Sequence, residues 1–186
     1  MTVKFLKEIL EWILVVIVSL SLYFAITTYA AAPYTVKGHS MDYTFADSDK
    51  VLINKVSKNY ERGDVIVFHA NETDDYIKRI IGIPGDTVEV IDDVLYINGE
   101  KFEEPYLEKK KSELKSNSKN VNLTLDFNIE YLISTKSKTV PEGSYFVMGD
   151  NRPNSTDSRS FGFVKKDTIV GKVMLRYYPF TSVKTF

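Results

Sequence analysis

Cysteine is absent from this chain of 186 residues. Disulfides, a thiol nucleophile and thiolate-bound metal are therefore excluded. Histidine is scarce: His39 and His69 are the only two, and no HExxH spacing occurs, which argues against a zinc hydrolase. Charge of one sign is lacking as well. The formal net charge is −1, and lysines sit beside acids rather than in a stripe, so nothing points to nucleic acid. No internal repeat and no long amphipathic helix pattern is visible beyond the first thirty residues. Neither a metal nor a cofactor is expected.

What the chain does have is one long apolar run. Trp12 to Ala32 is 21 residues without a charge. As an α-helix, such a run crosses a hydrocarbon layer of about 30 Å. Trp12, Tyr29 and Tyr34 stand where interfacial aromatic anchors belong. A cleaved signal peptide is the competing reading, since Ala30-Ala31-Ala32 offers small residues. The run is longer than a signal core of about 7–15 residues, however, and Pro33 would directly follow the cut. We read 12–32 as an uncleaved transmembrane anchor. Lys4 and Lys7 precede it, which puts residues 1–11 in the cytoplasm and 33–186 outside the cell membrane.

Beyond the anchor, short alternating or apolar runs lie between turn residues. Val51–Val56, Val65–His69, Tyr76–Ile81, Thr87–Ile91, Val94–Ile97, Tyr145–Met148 and Ile169–Tyr177 read as strands. Asp92-Asp93 turns a hairpin and Asn98-Gly99 ends it. The fold class is mainly β. Residues 100–138 differ, with Lys109-Lys110-Lys111 and the Ser/Asn/Lys-rich Ser112–Asn122. They read as a solvated, variable insertion, in which Phe127–Ile133 adds one or two strands.

Two residues carry possible chemistry. Ser40 lies in a loop just past the apolar run; alone, it reads as a turn residue. Lys78 lies in Asp75-Tyr76-Ile77-Lys78-Arg79-Ile80-Ile81. Period-two alternation places it on one face with Tyr76 and Ile80, where burial would disfavour the ammonium form. At an ordinary pKa only about one lysine in 2,500 is neutral at pH 7, and a drop of two to three units raises that roughly a hundredfold or more. A neutral lysine is able to take a serine proton. His39 is adjacent to Ser40 and would point away from it in extended chain. His69, near Asp74 and Asp75, has no serine partner indicated by the sequence. Met148–Gly162 is dense in turn formers. Its Asp150 and Asp157 lie near Arg152 and Arg159, which favours structural ion pairs over an acid pair.

At these residues the sequence resembles the bacterial type I signal peptidases, of the single-span Gram-positive kind. The matching stretches are Gly38-His39-Ser40-Met41 with Thr44; Arg62-Gly63-Asp64-Val65-Ile66-Val67-Phe68; Lys78-Arg79-Ile80-Ile81-Gly82-Ile83-Pro84-Gly85-Asp86; and Gly149-Asp150-Asn151-Arg152 through Ser155, Asp157, Ser158, Arg159 and Phe161-Gly162. The resemblance implies a catalytic domain of coiled antiparallel sheet and a serine endopeptidase that removes signal peptides from exported precursors after Ala-x-Ala. It implies Ser40 as nucleophile and Lys78 as general base, with the Ser40 N–H in the oxyanion hole. Ser155 is implied to position the lysine, and Asp150 with Arg79 and Asp157 with Arg159 to form supporting ion pairs. Val36, Met41, Phe45, Tyr76 and Ile77 are implied to line shallow substrate pockets. Gly38 supplies no side-chain donor where some relatives have a serine.

One departure stands out: Tyr43 occupies the family's usual proline, so proline there is expected to gain about 0.4–1 kcal/mol. Membrane lipid is a further expected partner, through Phe161, Phe163, Tyr177, Tyr178 and Phe180. The alternative to a protease is a catalytically degenerate paralogue, a tethered module that binds exported proteins.

Overall fold

The computed structural model describes residues 2–116 and 121–186. Met1, residues 117–120 of the Ser/Asn/Lys-rich stretch and the side chain of Tyr29, expected as an anchor, lie outside the described residues. Helix α1 (Thr2–Ala25) continues as a π-helical turn through Ala30. Its stretch Lys4–Ala25 is long and apolar enough to cross a membrane. The described side chains of α1 from Lys4 onward are exposed, Leu10 and Trp12 among them. Such a surface fits lipid better than water.

The apolar run does not stay helical to Ala32. Strand β1 (Ala31–Thr35) begins at Ala31 and pairs antiparallel with β2 (Lys50–Asn54). Pro33 sits opposite Leu52 on this edge strand, where its missing N–H removes no ladder bond from a second neighbour. Lys55 ties the junction down: its N–H donates to Ala30 O at 3.0 Å and its Nζ to Thr28 O at 2.7 Å.

Next come β3 (Val65–His69), β4 (Asp75–Gly82), β5 (Val88–Ile91), β6 (Val94–Ile97) and β7 (Glu100–Phe102). Helix α2 (Glu108–Ser116), β8 (Phe127–Asn128) and β9 (Ser144–Met148) follow. The chain closes with α3 (Ser158–Phe161), β10 (Val164–Lys165), β11 (Ile169–Tyr178) and β12 (Lys184–Thr185). One sheet runs β1-β2-β11-β3-β4-β9-β10, with β12 on β11; the second runs β7-β6-β5-β8. The chain is thus mainly antiparallel β with an N-terminal apolar helix. Asp92-Asp93 and Asn98-Gly99 both have positive φ, the conformation a two-residue hairpin turn demands.

Strand β4 sits between β3 and β9 and is buried from Ile77 to Gly82. Three apolar clusters meet on it. Ile77 belongs to one with Val36 and Val67, Ile80 to another with Ile66 and Val147, and Ile81 to a third with Phe146 and Leu95. A polar group on this strand has little access to water from either face.

The insertion 100–138 is not merely solvated. Leu107, Leu123 and Ile129 are buried, as are Glu104 and Thr124. Ser134 Oγ donates to the carbonyls of Ser158 and Arg159, both at 3.0 Å. Lys101, Lys109, Lys136 and Lys138 do point outward, and residues of that kind dominate the composition; the few inward residues are spaced too irregularly to show a period. Of the strands expected over Phe127–Ile133, only the two-residue β8 forms.

Candidate active site

Ser40 is placed by the segment joining β1 to β2. Val36 N donates to Asp49 O and Ser48 N to Val36 O, closing a loop. Gly38, with φ of +79°, takes a conformation that favours glycine and donates its N–H to Asp47 Oδ1 at 2.7 Å. From across the sheet, Asn151 N donates to Ser40 O at 3.0 Å and Asn151 Nδ2 to His39 O at 2.8 Å. Gly149 lies so close that an added Cβ would sit 2.4 Å from Ser40 O and 2.2 Å from Ser155 Oγ. Only glycine permits that approach.

Lys78 projects from β4 with its Nζ 2.7 Å from Ser40 Oγ and 3.0 Å from Ile77 O. It is 4 % exposed, and its Nζ lies 5.2 Å from the centre of the Tyr76 ring. Burial lowers its pKa from 10.5 to about 8, although Asp157 and Asp150 pull the other way. A serine hydroxyl thus touches an amine that sheds its proton within reach of physiological pH.

The supporting charges form two bidentate pairs. Arg79 donates from Nε to Asp150 Oδ1 at 2.9 Å and from Nη2 to Asp150 Oδ2 at 2.6 Å, while its Nη1 reaches Gly63 O. Asp150 also accepts from Thr44 Oγ1 at 2.5 Å. Arg159 donates from Nε and Nη2 to the two oxygens of Asp157, each at 2.8 Å, and Asp157 caps α3 and accepts from Gly149 N. Buried carboxylates held in this way keep their geometry without consuming the lysine's proton.

Ser155 behaves differently from its expected part. Its hydroxyl is buried with no hydrogen-bond partner among the described residues, so it lies against Gly149 without bonding Lys78. Val36, Tyr76 and Ile77 line a groove of about 420 Å³ that also holds Gly38, Ser40 and Lys78. Met41 and Phe45 do not line it: both are sealed in the cluster beneath, with Arg176 and Phe186 against the Phe45 ring. A larger cavity of about 620 Å³ lies between the insertion and the β5–β6 hairpin. Its buried Glu104 is paired with the half-buried Lys111, so chemistry and volume point to different places and the chemistry decides. Neither histidine ring hydrogen-bonds Ser40 among the described residues: His39 pairs with Asp42 at 3.2 Å and His69 with Asp75 at 2.5 Å, both in exposed positions.

Contacts that the sequence did not indicate complete the frame. Arg152 pairs with Glu104 of the insertion, not with Asp150 or Asp157. The Tyr106 ring centre lies 3.9 Å from the Arg79 guanidinium carbon. Nothing in a lysine-rich insertion signals such contacts.

Tyr43 corrects the proline expectation. Its φ is +89°, which a pyrrolidine ring fixed near −65° is unable to adopt. Its hydroxyl donates to Asn151 Oδ1 at 3.3 Å, and Lys110 of α2 sits over its ring. Tyr43→Pro is therefore expected to lower stability by roughly 2 kcal/mol or more, and to reduce activity through Asn151. Thermal melts of the two chains check this; a rise in Tm would contradict it.

Comparison with known proteins agrees across the chain. A family model described as signal peptidase, peptidase S26, matches residues 9–178. A signal peptidase IB from Staphylococcus aureus strain COL is 45 % identical over 183 residues, 96 % of this chain and 94 % of that protein. A signal peptidase I from Bacillus caldolyticus is 47 % identical over 150 residues, 79 % of each. A crystal structure of a signal peptidase I from Enterococcus faecalis V583 superposes with a TM-score of 0.57 at 50 % identity, covering 61 % of this chain and 96 % of that one.

Proposed function

The chain belongs to the signal peptidase family, peptidase S26, and is an endopeptidase of the signal peptidase I kind; on that premise we propose that Ser40 is its nucleophile and Lys78 its general base. The observation that carries this is the 2.7 Å contact between Ser40 Oγ and a lysine amine with its pKa pulled down to about 8.

Neutral Lys78 takes the Ser40 hydroxyl proton as Oγ adds to the scissile carbonyl. The negative charge then moves onto the carbonyl oxygen. The Ser40 backbone N–H makes no hydrogen bond among the described residues and is free to receive that charge. Collapse breaks the C–N bond, and the Lys78 ammonium gives its proton to the departing amine. The mature protein leaves and the signal peptide stays as an ester on Ser40. Lys78, neutral again, takes a proton from water as that water attacks the ester; the returned proton frees Ser40. Asp150 and Asp157 make the transient ammonium less costly.

Val36, Tyr76 and Ile77 line the groove beside Ser40 with apolar surface, which suits small side chains such as those of Ala-x-Ala. Met41 and Phe45 act by backing these walls. Asp150 with Arg79 and Asp157 with Arg159 hold the segment that carries Gly149, and Ser155 fills the space beside it. We assign residues 1–11 to the cytoplasm, the part of α1 from Trp12 onward to the membrane and the domain from Ala31 onward to the outside.

The test uses the full chain in detergent micelles with a precursor carrying Ala-x-Ala, and with one in which a bulky residue replaces the last alanine. Cleavage of the first alone is expected. Binding of the first without cleavage would favour the tethered binding module. A separate outcome concerns lipid. Tyr178, Phe180 and Val183 are exposed, Phe180 at 80 %, whereas Phe163 packs on Phe146 in the core. The domain without residues 1–30 is expected to bind anionic vesicles, and Phe180→Ser with Val183→Ser to weaken that several-fold in a co-sedimentation assay.

A further inference from the structure

We propose that Glu104, in the insertion, is a positioning residue for the reacting pair, acting through Arg152 on the Gly149–Asn151 segment that holds Ser40. This rests on the reading of Ser40 and Lys78 given above. Arg152 is wholly buried, and its Nη2 is gripped by Glu104 Oε1. That grip aims the rest of the guanidinium: Nε donates to Gly149 O at 3.1 Å and Nη1 to Thr124 Oγ1 at 3.1 Å. Gly149 is the residue that lies against Ser40 O and Ser155, and its neighbours Asp150 and Asn151 hold Arg79 and the Ser40 carbonyl. Three contacts in series, Glu104–Arg152, Arg152–Gly149 and Gly149–Ser40, therefore join Glu104 to the nucleophile turn.

Glu104 is itself held. Lys111 Nζ donates to Glu104 Oε2 at 3.2 Å, and the Tyr106 hydroxyl donates to Oε1 at 3.0 Å. Burial would raise the Glu104 pKa, but Arg152 and Lys111 outweigh it and keep the carboxyl ionised. Tyr106 also stacks on Arg79, so one short segment of the insertion touches both buried arginines next to the reacting pair.

Loss of the Glu104 charge leaves Arg152 as a buried cation without its carboxylate. The carboxylates of the adjoining segment, Asp150 and Asp157, are each already occupied by another arginine. Turning toward either pulls Nε off Gly149 and shifts the Ser40 turn. The groups facing Lys78 are the Tyr76 ring, Ser40, and the carboxylates Asp150 and Asp157 with their partners Arg79 and Arg159. An uncompensated positive charge in this setting disfavours the Lys78 ammonium further.

The experiment measures cleavage of an Ala-x-Ala peptide by the full chain in micelles, corrected for the folded fraction. Glu104→Gln is expected to lower kcat on the order of ten- to a hundredfold, with KM within about twofold of the original. The acidic limb of its pH profile is expected to move to lower pH, which a merely structural role would not produce. Glu104→Asp, keeping the charge, should recover part of kcat. Should Glu104→Gln not fold, Glu104→Met combined with Arg152→Met removes both charges and is expected to carry the kcat loss, because Gly149 O has lost its donor. Should that pair not fold either, Glu104→Asp decides through a kcat loss at unchanged KM. Original kcat and an unmoved limb in the variant that folds would overturn the proposal. Ser40→Ala runs beside it. Cleavage surviving there would overturn the Ser/Lys reading itself, whereas an inert Ser40→Ala with a normal Glu104 variant overturns only the role of Glu104.

Discussion

Ser40→Ala and Lys78→Ala are each expected to abolish precursor cleavage, by a factor on the order of 10⁴ or more, while the domain stays folded. Serine and lysine act as one unit across the 2.7 Å contact, so removing either forfeits nearly all that removing both would. The fold survives because Ser40 lies in a loop anchored by backbone bonds from Asn151 and Asp49, not by its hydroxyl. The same contact fixes a pH dependence. The base works only when neutral, and its pKa lies at about 8, so kcat/KM should rise about tenfold per pH unit below that value and level off above it. Cleavage within tenfold of the original in either variant would end the assignment. A limb near the ordinary histidine range, removed by His69→Ala, would transfer the base to His69 and Asp75 instead.

Lys78→Met is expected to make the protein more stable at neutral pH as it makes it inactive. The folded-state pKa of Lys78, about 8, lies below the ordinary 10.5, because burial penalises the ammonium. Below pH 8 the folded lysine carries its charge at a penalty that the unfolded chain avoids. The difference of about 2.5 units corresponds to roughly 3 kcal/mol at about 1.36 kcal/mol per unit. Between pH 8 and 10.5 the unfolded state binds more protons than the folded one, so wild-type stability climbs with pH and the penalty fades. Methionine fills similar space with no charge to desolvate. The variant should therefore melt roughly 6–12 °C higher at pH 7, with the gap closing toward pH 10.5. Ser40→Ala, which leaves the lysine in place, should not reproduce the pattern. A gap independent of pH, or a variant less stable at pH 7, would mean that Lys78 is not strained by its burial.

The sequence by itself determined much of this protein. Short apolar runs between turn residues marked β3 and β6 to the residue, and Asp92-Asp93 and Asn98-Gly99 marked the turns, since these are local preferences of backbone and side chain. The apolar run announced the helix; its end did not, because Ala31 and Ala32 are drawn into pairing with Ile53 and Asn54, a partner distant in sequence. Position in the chain named Ser40 and Lys78 as candidates, and the resemblance joined them. The tertiary structure alone decided the rest. It buried Lys78 by packing three clusters onto β4, set Tyr43 at a φ that no proline takes, and sealed Met41 and Phe45 under the groove. It also brought Glu104, from a segment that reads as solvated, against Arg152. Local propensity extends over a few residues, whereas burial of a charge and choice of its partner depend on chain segments 38 to 48 residues apart meeting in space.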